Sequence, residues 1–529
     1  MATIITSLST EQIASLTSAA LVALTTEDWA AFSSAQMGAL TAAQAPFISR
    51  AGIGVFTSAQ FNSLGTAQFG ALTSSQVGAI ASTLADTLAT DDLAAISTGS
   101  LRGLSTDALG ALDTAQLGAL TNTQVSAFTT AQLQALDGSD LSAFNSAQIG
   151  SLTSAQVASL TTAQIDTLAT DDVAAIAATA LRGLSTAAVA ALDTAQFDAL
   201  TTAQIGALTS GQAAALTATQ TDVIASDDLR ALSTAAVRAL TSDALAALDS
   251  AQIGSLTNTQ VAALATAQLA TLATDDLNAL TTAQFAVLTS AQVAAITATQ
   301  AAALATDDLA AINVTALKGL STDALGALDS AQIGALTTAQ VAGLTSRQIG
   351  SLADADLAAL GSAQIGALSS AQVAALTSTQ VDAMATEDVA AISAAAIRGL
   401  STASVAVLDT AQFNALTTAQ FAALTSAQAA AITATQADAI ATDDLAAMTT
   451  AATRALTSDA LGALDSAQIV TLTNAQVAAL STGQVASLAT DDFNALTTAQ
   501  VAVLTSAQAA AITATQADAM ATDDLAALA

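Results

Sequence analysis

Cysteine, histidine and tyrosine are absent from this chain, and Trp29, Pro46 and Lys318 are the only residues of their types. Without Cys there are no disulfides, and cysteine usage places the chain in no redox compartment. Without His or Cys, no side chain is available to activate a Ser or Thr nucleophile, and no Gly-rich phosphate loop occurs. The chain is therefore not expected to be an enzyme. Basic residues are scarce too: nine against 42 acidic ones, a formal charge of −33. That balance disfavours nucleic acid and anionic membrane surfaces and keeps an apolar-rich chain in solution. The residues are 53% hydrophobic, yet Thr, Ser, Gln or Asp interrupts every short stretch, and no run approaches the roughly 18–20 apolar residues of a membrane span. The opening Met1-Ala2-Thr3-Ile4-Ile5-Thr6 lacks the basic and apolar regions of a cleaved secretory signal.

What fills the chain is one phrase of eight residues. Leu200-Thr201-Thr202-Ala203-Gln204-Ile205-Gly206-Ala207 is followed at once by Leu208, and Leu, Ile, Phe or Met occupies almost every residue number divisible by eight, from Leu8 to Leu528. Counting that large apolar residue as position 0, position 1 is Thr, Ser or Asp, position 4 is usually Gln or Asp, position 5 is Ile, Val, Leu or Phe, and position 7 is usually Ala. Thr201 and Gln204 have the spacing of a capping box, and Leu200 with Ile205 that of the hydrophobic staple. Each octad thus predicts one short helix of about six or seven residues, restarted at the next cap. A single continuous helix fails, because eight residues advance about 80° beyond two turns and the Leu positions would spiral around the axis. A β-solenoid is the alternative. Against it stand the heavy use of Ala and Gln, poor strand formers, and the lack of a Gly or Asn turn position. Helices this short are unstable alone, so they must coil into a solenoid with positions 0 and 5 inside. The expected fold is an all-α solenoid, one helix per octad.

Two regions differ in texture. Residues 1–80 keep the register but hold Trp29, Pro46 and five of the twelve Phe, and they read as a cap or an assembly region, with Trp29, Phe47, Phe56 and Phe61 as the candidate assembly residues. Residues 81–529 are regular and carry a second level of order. Octads with Ala at the cap position contain Thr90-Asp91-Asp92, Thr170-Asp171-Asp172, Ser226-Asp227-Asp228, Thr274-Asp275-Asp276 and Thr306-Asp307-Asp308, at intervals of ten, seven, six and four octads, and the same intervals then recur. The result is a superrepeat of twenty-seven octads, about 89–304 and 305–520, consistent with a duplicated block and divisible into three octads per turn. In these octads Thr90 and its equivalents are expected to take over as caps one residue late. Acids in a first helical turn favour its positive end. The alternative use is calcium, for which Asp91, Asp92, Asp171, Asp172, Asp307 and Asp308 are the candidates, although no EF-hand or calcium β-roll pattern accompanies them. No other cofactor is expected. The Arg residues at position 6, such as Arg102 and Arg182, would form surface ion pairs with adjacent octads or pair between chains.

The phrase Leu-Thr-x-x-Gln-Val/Ile-x-Ala resembles the opening of the first helix in TAL-effector repeats, over eight or nine residues only. The second helix, the base-reading pair and the basic charge are missing, so DNA recognition does not carry over. As a whole, a long, acidic, Cys-free, Ala/Thr-rich repeat chain resembles large secreted bacterial surface proteins: adhesins, S-layer proteins and filament subunits. That resemblance implies an extracellular or cell-surface location reached without a cleaved N-terminal signal. It also implies self-association into a homopolymer, with contact to a cell surface or matrix. The expectation is a structural, self-assembling subunit of a filament or surface layer; the alternative is the stalk or binding module of an adhesin in surface attachment or biofilm.

Overall fold

The structure is a computed structural model and describes residues 4–528. Among these residues there are 63 α-helices of four to six residues, three 3₁₀ helices and no strand. The β-solenoid alternative is thereby set aside, and the helices are slightly shorter than expected. The reason lies at the corners. In the helix Thr202–Ala207, both the N-cap Thr201 (φ −72°, ψ 155°) and the closing Leu208 (φ −55°, ψ 131°) leave the helical region. Two residues in every octad are given to the corner, and the helix restarts at position 2. The Leu208 N–H still closes the helix behind it by donating to the Ile205 carbonyl at 3.1 Å. One Leu therefore ends one helix and precedes the cap of the next.

The chain divides by contact between Thr271 and Leu272 into two units. In the first, Thr202–Ala207 packs on Ala178–Leu181 and on Ser226–Ala231, the helices three octads before and after it. In the second, Ser426–Ala429 packs on Thr450–Ala455 in the same way. Each unit is thus a solenoid with three octads to a turn. Positions 0 and 5 line its interior: Leu200, Ile205 and Leu208 are buried, as are Leu408, Phe413 and Leu416. Burying two such side chains per octad, each worth about 1.5–3 kcal/mol, is what holds helices that could not stand alone. Among the described residues no helix is long and apolar enough to cross a membrane.

Candidate functional site

The residue that joins one turn to the next is the Gln at position 4. Gln204 is 1% exposed and uses every polar atom it has. Its Oε1 accepts from the Thr201 N–H at 2.7 Å and from the Thr201 hydroxyl at 2.9 Å, while the Thr201 oxygen accepts from the Gln204 N–H at 3.3 Å. That is the capping box anticipated from the sequence. The amide nitrogen does something else: it donates to the carbonyls of Val173 at 2.8 Å and Ile176 at 2.7 Å, both in the previous turn. Gln436 in the second unit repeats this on Val405 and Leu408, at 2.8 Å each. Those carbonyls lie where a helix of the previous turn ends and have spare acceptor capacity. A helix start in one turn therefore satisfies a helix end in another. This second role of Gln was missed by sequence reasoning, which read position 4 as a local cap only.

Six turns have no Gln to make this tie, although in one of them the Ser100 hydroxyl donates to the Leu72 carbonyl of the previous turn at 2.6 Å. Their three successive position-4 residues are Asp92, Ser100, Ala108; Asp172, Ala180, Ala188; Asp228, Ala236, Ala244; Asp308, Ala316, Ala324; Asp388, Ala396, Ser404; and Asp444, Ala452, Ala460. The helices of the acidic octads begin at Thr90, Thr170 and Thr306, but Thr90 does not become the cap. The N-cap is Ala89, extended and without any side-chain bond, and Thr90 is the first helical residue. Packing of the octad into its turn fixes the start even where no cap side chain is present. The two acids of each pair diverge. Asp91, Asp171 and Asp307 face solvent, whereas Asp92 is half-buried and Asp172 and Asp308 are buried at the place of Gln. In several of these octads the shorter carboxylate is met by a hydroxyl from the previous turn: Ser146 donates to Asp172 at 2.7 Å, Ser362 to Asp388 at 2.9 Å and Ser466 to Asp492 at 2.7 Å. Burial pushes the Asp92 carboxyl up, opposed by a bond from Thr66, and burial with the neighbouring Asp307 pushes Asp308 up. Adjacent residues on a helix do not face each other, and among the described residues no three acidic groups gather as a metal site would need.

The turns without Gln also lie closer together. A Cβ on Gly103 would overlap the Ser74 carbonyl oxygen, and Gly183, Gly319 and Gly399 stand in the same relation to Ser154, Ser290 and Ser370. Among the described residues none has a positive φ, so these glycines serve close approach and not backbone geometry. The basic residues at position 6 do not form the expected pairs with adjacent octads. Instead, Arg102 Nε donates to the Ala127 carbonyl at 2.9 Å, Arg182 to Ala207 at 3.1 Å and Arg398 to Ala423 at 3.2 Å, each on the following turn. Among the described residues the ion pair found is Arg230–Asp227 at 3.6 Å, between exposed side chains.

The N-terminal aromatic residues fall into the interior with one exception. Trp29 stacks on Phe32 with centroids 5.1 Å apart and meets the edge of Phe56 at 6.1 Å, and Phe61 meets Phe69 at 5.1 Å. Trp29, Phe56 and Phe61 are buried, while Phe47 is 39% exposed, so of the four assembly candidates Phe47 is the one at the surface. Gly52 stands at position 4, and a Cβ there would lie 2.7 Å from Trp29 Cδ1. The indole occupies the room a Gln would need, and its buried N–H has no acceptor. A cavity of about 500 Å³ lined by Ile4, Ile5, Leu8, Leu16 and Leu24 among others opens beside this first turn.

The profile of the ALTTAQ repeat matches residues 86–122, 135–170, 165–202, 190–218, 222–258, 270–306, 301–338, 353–386, 381–418 and 437–474, more than half of the chain. The chain belongs to the ALTTAQ repeat family. Ala199-Leu200-Thr201-Thr202-Ala203-Gln204 spells the phrase in full: corner Leu, capping Thr and the tying Gln are its named members. No curated protein matches the chain.

Proposed function

We propose that this ALTTAQ repeat protein is structural and not an enzyme: a self-assembling subunit of an extracellular bacterial filament or surface layer, built as a rigid octad solenoid. The observation that supports this reading is the sameness of the surfaces that turns present to each other. Most turns offer Gln amides on one side and carbonyls with spare acceptor capacity on the other, as Gln204 does with Val173 and Ile176. Such a contact is heterologous and does not close, so a turn of one copy can continue a turn of another, and contacts of that kind give fibres. The apolar cavity beside Leu8, Leu16 and Leu24 is of a kind that accepts the position-0 side chains of a second copy.

Sedimentation velocity and negative-stain microscopy over a range of protein concentrations test the assembly. Rods that lengthen with concentration are expected. Monodisperse short rods at every concentration and calcium level would refute the proposal. Labelling of intact and of lysed native cells with an antibody tests the location: signal on intact cells is expected, and signal confined to lysed cells would contradict it.

A further inference from the structure

The nine basic residues are the minority charge in a chain of net charge −33, and their placement is not random. Each of the six turns without Gln carries one in its middle octad, always at position 6: Arg102, Arg182, Arg238, Lys318, Arg398 and Arg454. All six are exposed, and among the described residues none of them forms an ion pair. Where the Nε of Arg102, Arg182 and Arg398 is held by a carbonyl, the remaining guanidinium donors stay available. Five of the six have an Asp at position 6 two octads earlier: Asp86, Asp166, Asp222, Asp382 and Asp438 precede Arg102, Arg182, Arg238, Arg398 and Arg454 in turn. These acids are exposed as well. Because helices three octads apart stack, two octads place acid and base on different sides of the same turn.

We propose that these residues form a lateral contact between copies of the chain, position-6 cations of one copy meeting position-6 aspartates of the next; this rests on the self-assembly proposed above. The physical reason is that two strongly acidic copies repel everywhere except where the minority charge meets an acid. The scarce cations therefore fix the register of any side-by-side contact. Each exposed pair is weak and screened by salt, and pairs repeated along each unit act together. With acid and base on different sides, a copy offers its cation to one neighbour and its acid to another, so the contact propagates sideways instead of closing.

The test uses the full chain and reads bundle width by negative stain and sedimentation. One variant carries Arg102→Glu, Arg182→Glu, Arg238→Glu, Lys318→Glu, Arg398→Glu and Arg454→Glu; the other carries Asp86→Arg, Asp166→Arg, Asp222→Arg, Asp382→Arg and Asp438→Arg. Circular dichroism confirms that both remain helical. Wild type is expected to form side-by-side bundles at low salt that separate at high salt. The first variant should need at least about tenfold more protein to form them, and mixing the two variants should restore them. Bundles of unchanged width in the first variant, or a mixture that fails to restore them, would overturn the lateral contact. Rod length is read separately: wild type that never lengthens refutes the end-to-end assembly, whereas long single rods without bundles refute the lateral contact alone.

Discussion

The turn holding Gln204 and the turn holding Ala180 share an octad register and an apolar interior, yet they are joined to their neighbours by different means. Gln204 reaches back to Val173 and Ile176 through its amide. Ala180 reaches nothing, and in its place the backbone itself closes in, with Gly183 against the Ser154 carbonyl. The side chain of Gln is at once a tie and a spacer. Where it is missing the turns can meet more closely, and in four of the six such turns a Gly at position 7 makes the room, Ala239 and Ala455 standing there in the other two. A strict repeat thus contains two kinds of joint, and sequence variation that looks like drift marks which joint is in use.

The largest effect should come from reversing the donor in a tied turn. Gln204→Glu places a carboxylate against two carbonyls in a buried site and should cost about 3–5 kcal/mol locally, read as loss of hydrogen-exchange protection around residues 168–208. Protection should partly return at acid pH, where the protonated acid regains one donor. Next, Gly103→Ala should cost about 1–3 kcal/mol by overpacking. In the tied turn, Gly206→Ala meets the Ala231 carbonyl only at 3.1 Å and should cost little, because helix propensity offsets the strain by up to about 1 kcal/mol. Equal effects at the two glycines would erase the distinction between the joints.

Smaller effects separate the caps. Thr201→Ala should lose about 1 kcal/mol, while Thr90→Ala should be near neutral, since Ala89 is the N-cap there. The smallest belongs to Asp92→Asn. Burial raises the folded pKa of Asp92, so its favourable contribution is present below the unfolded value and is lost as pH rises through the folded value. Asn should therefore stabilise the turn at neutral pH, still accept from Thr66, and show no advantage once the pH falls below the ordinary carboxylate range. Thermal melts at the two pH values check both signs.

The capping box and the buried positions 0 and 5 were legible because they are relations within a single octad and its corner. The tie was not, because a sequence with one repeated octad does not say which octad lies on which; Gln204 fits the carbonyls it reaches as well as the equivalent ones an octad nearer or an octad farther along the chain. The exceptions break that degeneracy. A Cβ on Gly343 would collide with Val314, and one on Gly138 would come within 2.6 Å of Thr167. In both pairs an oversized or undersized residue at position 2 is matched at position 7 of the third octad after it. Those two compensations were readable and fix the stacking. The late cap predicted at Thr90 failed for the opposite reason: a local signal was given weight over the register that packing imposes.

Gln204→Met tests most directly whether position 4 is a hydrogen-bonded tie or only a filler. Met has nearly the same length and volume, suits a buried apolar site, and removes every bond that the Gln204 side chain makes to Thr201, Val173 and Ile176, leaving the bond from the residue-204 N–H to the Thr201 oxygen in place. Hydrogen exchange on the intact chain reads the consequence locally, which suits a repeat protein whose turns open separately. If Gln204 ties the turns, protection in residues 168–208 falls by about 2–4 kcal/mol, the cost of leaving those buried partners unsatisfied, while turns farther away are unchanged. Protection equal to or greater than that of the wild type in the same stretch would show that the octads are held by apolar packing alone.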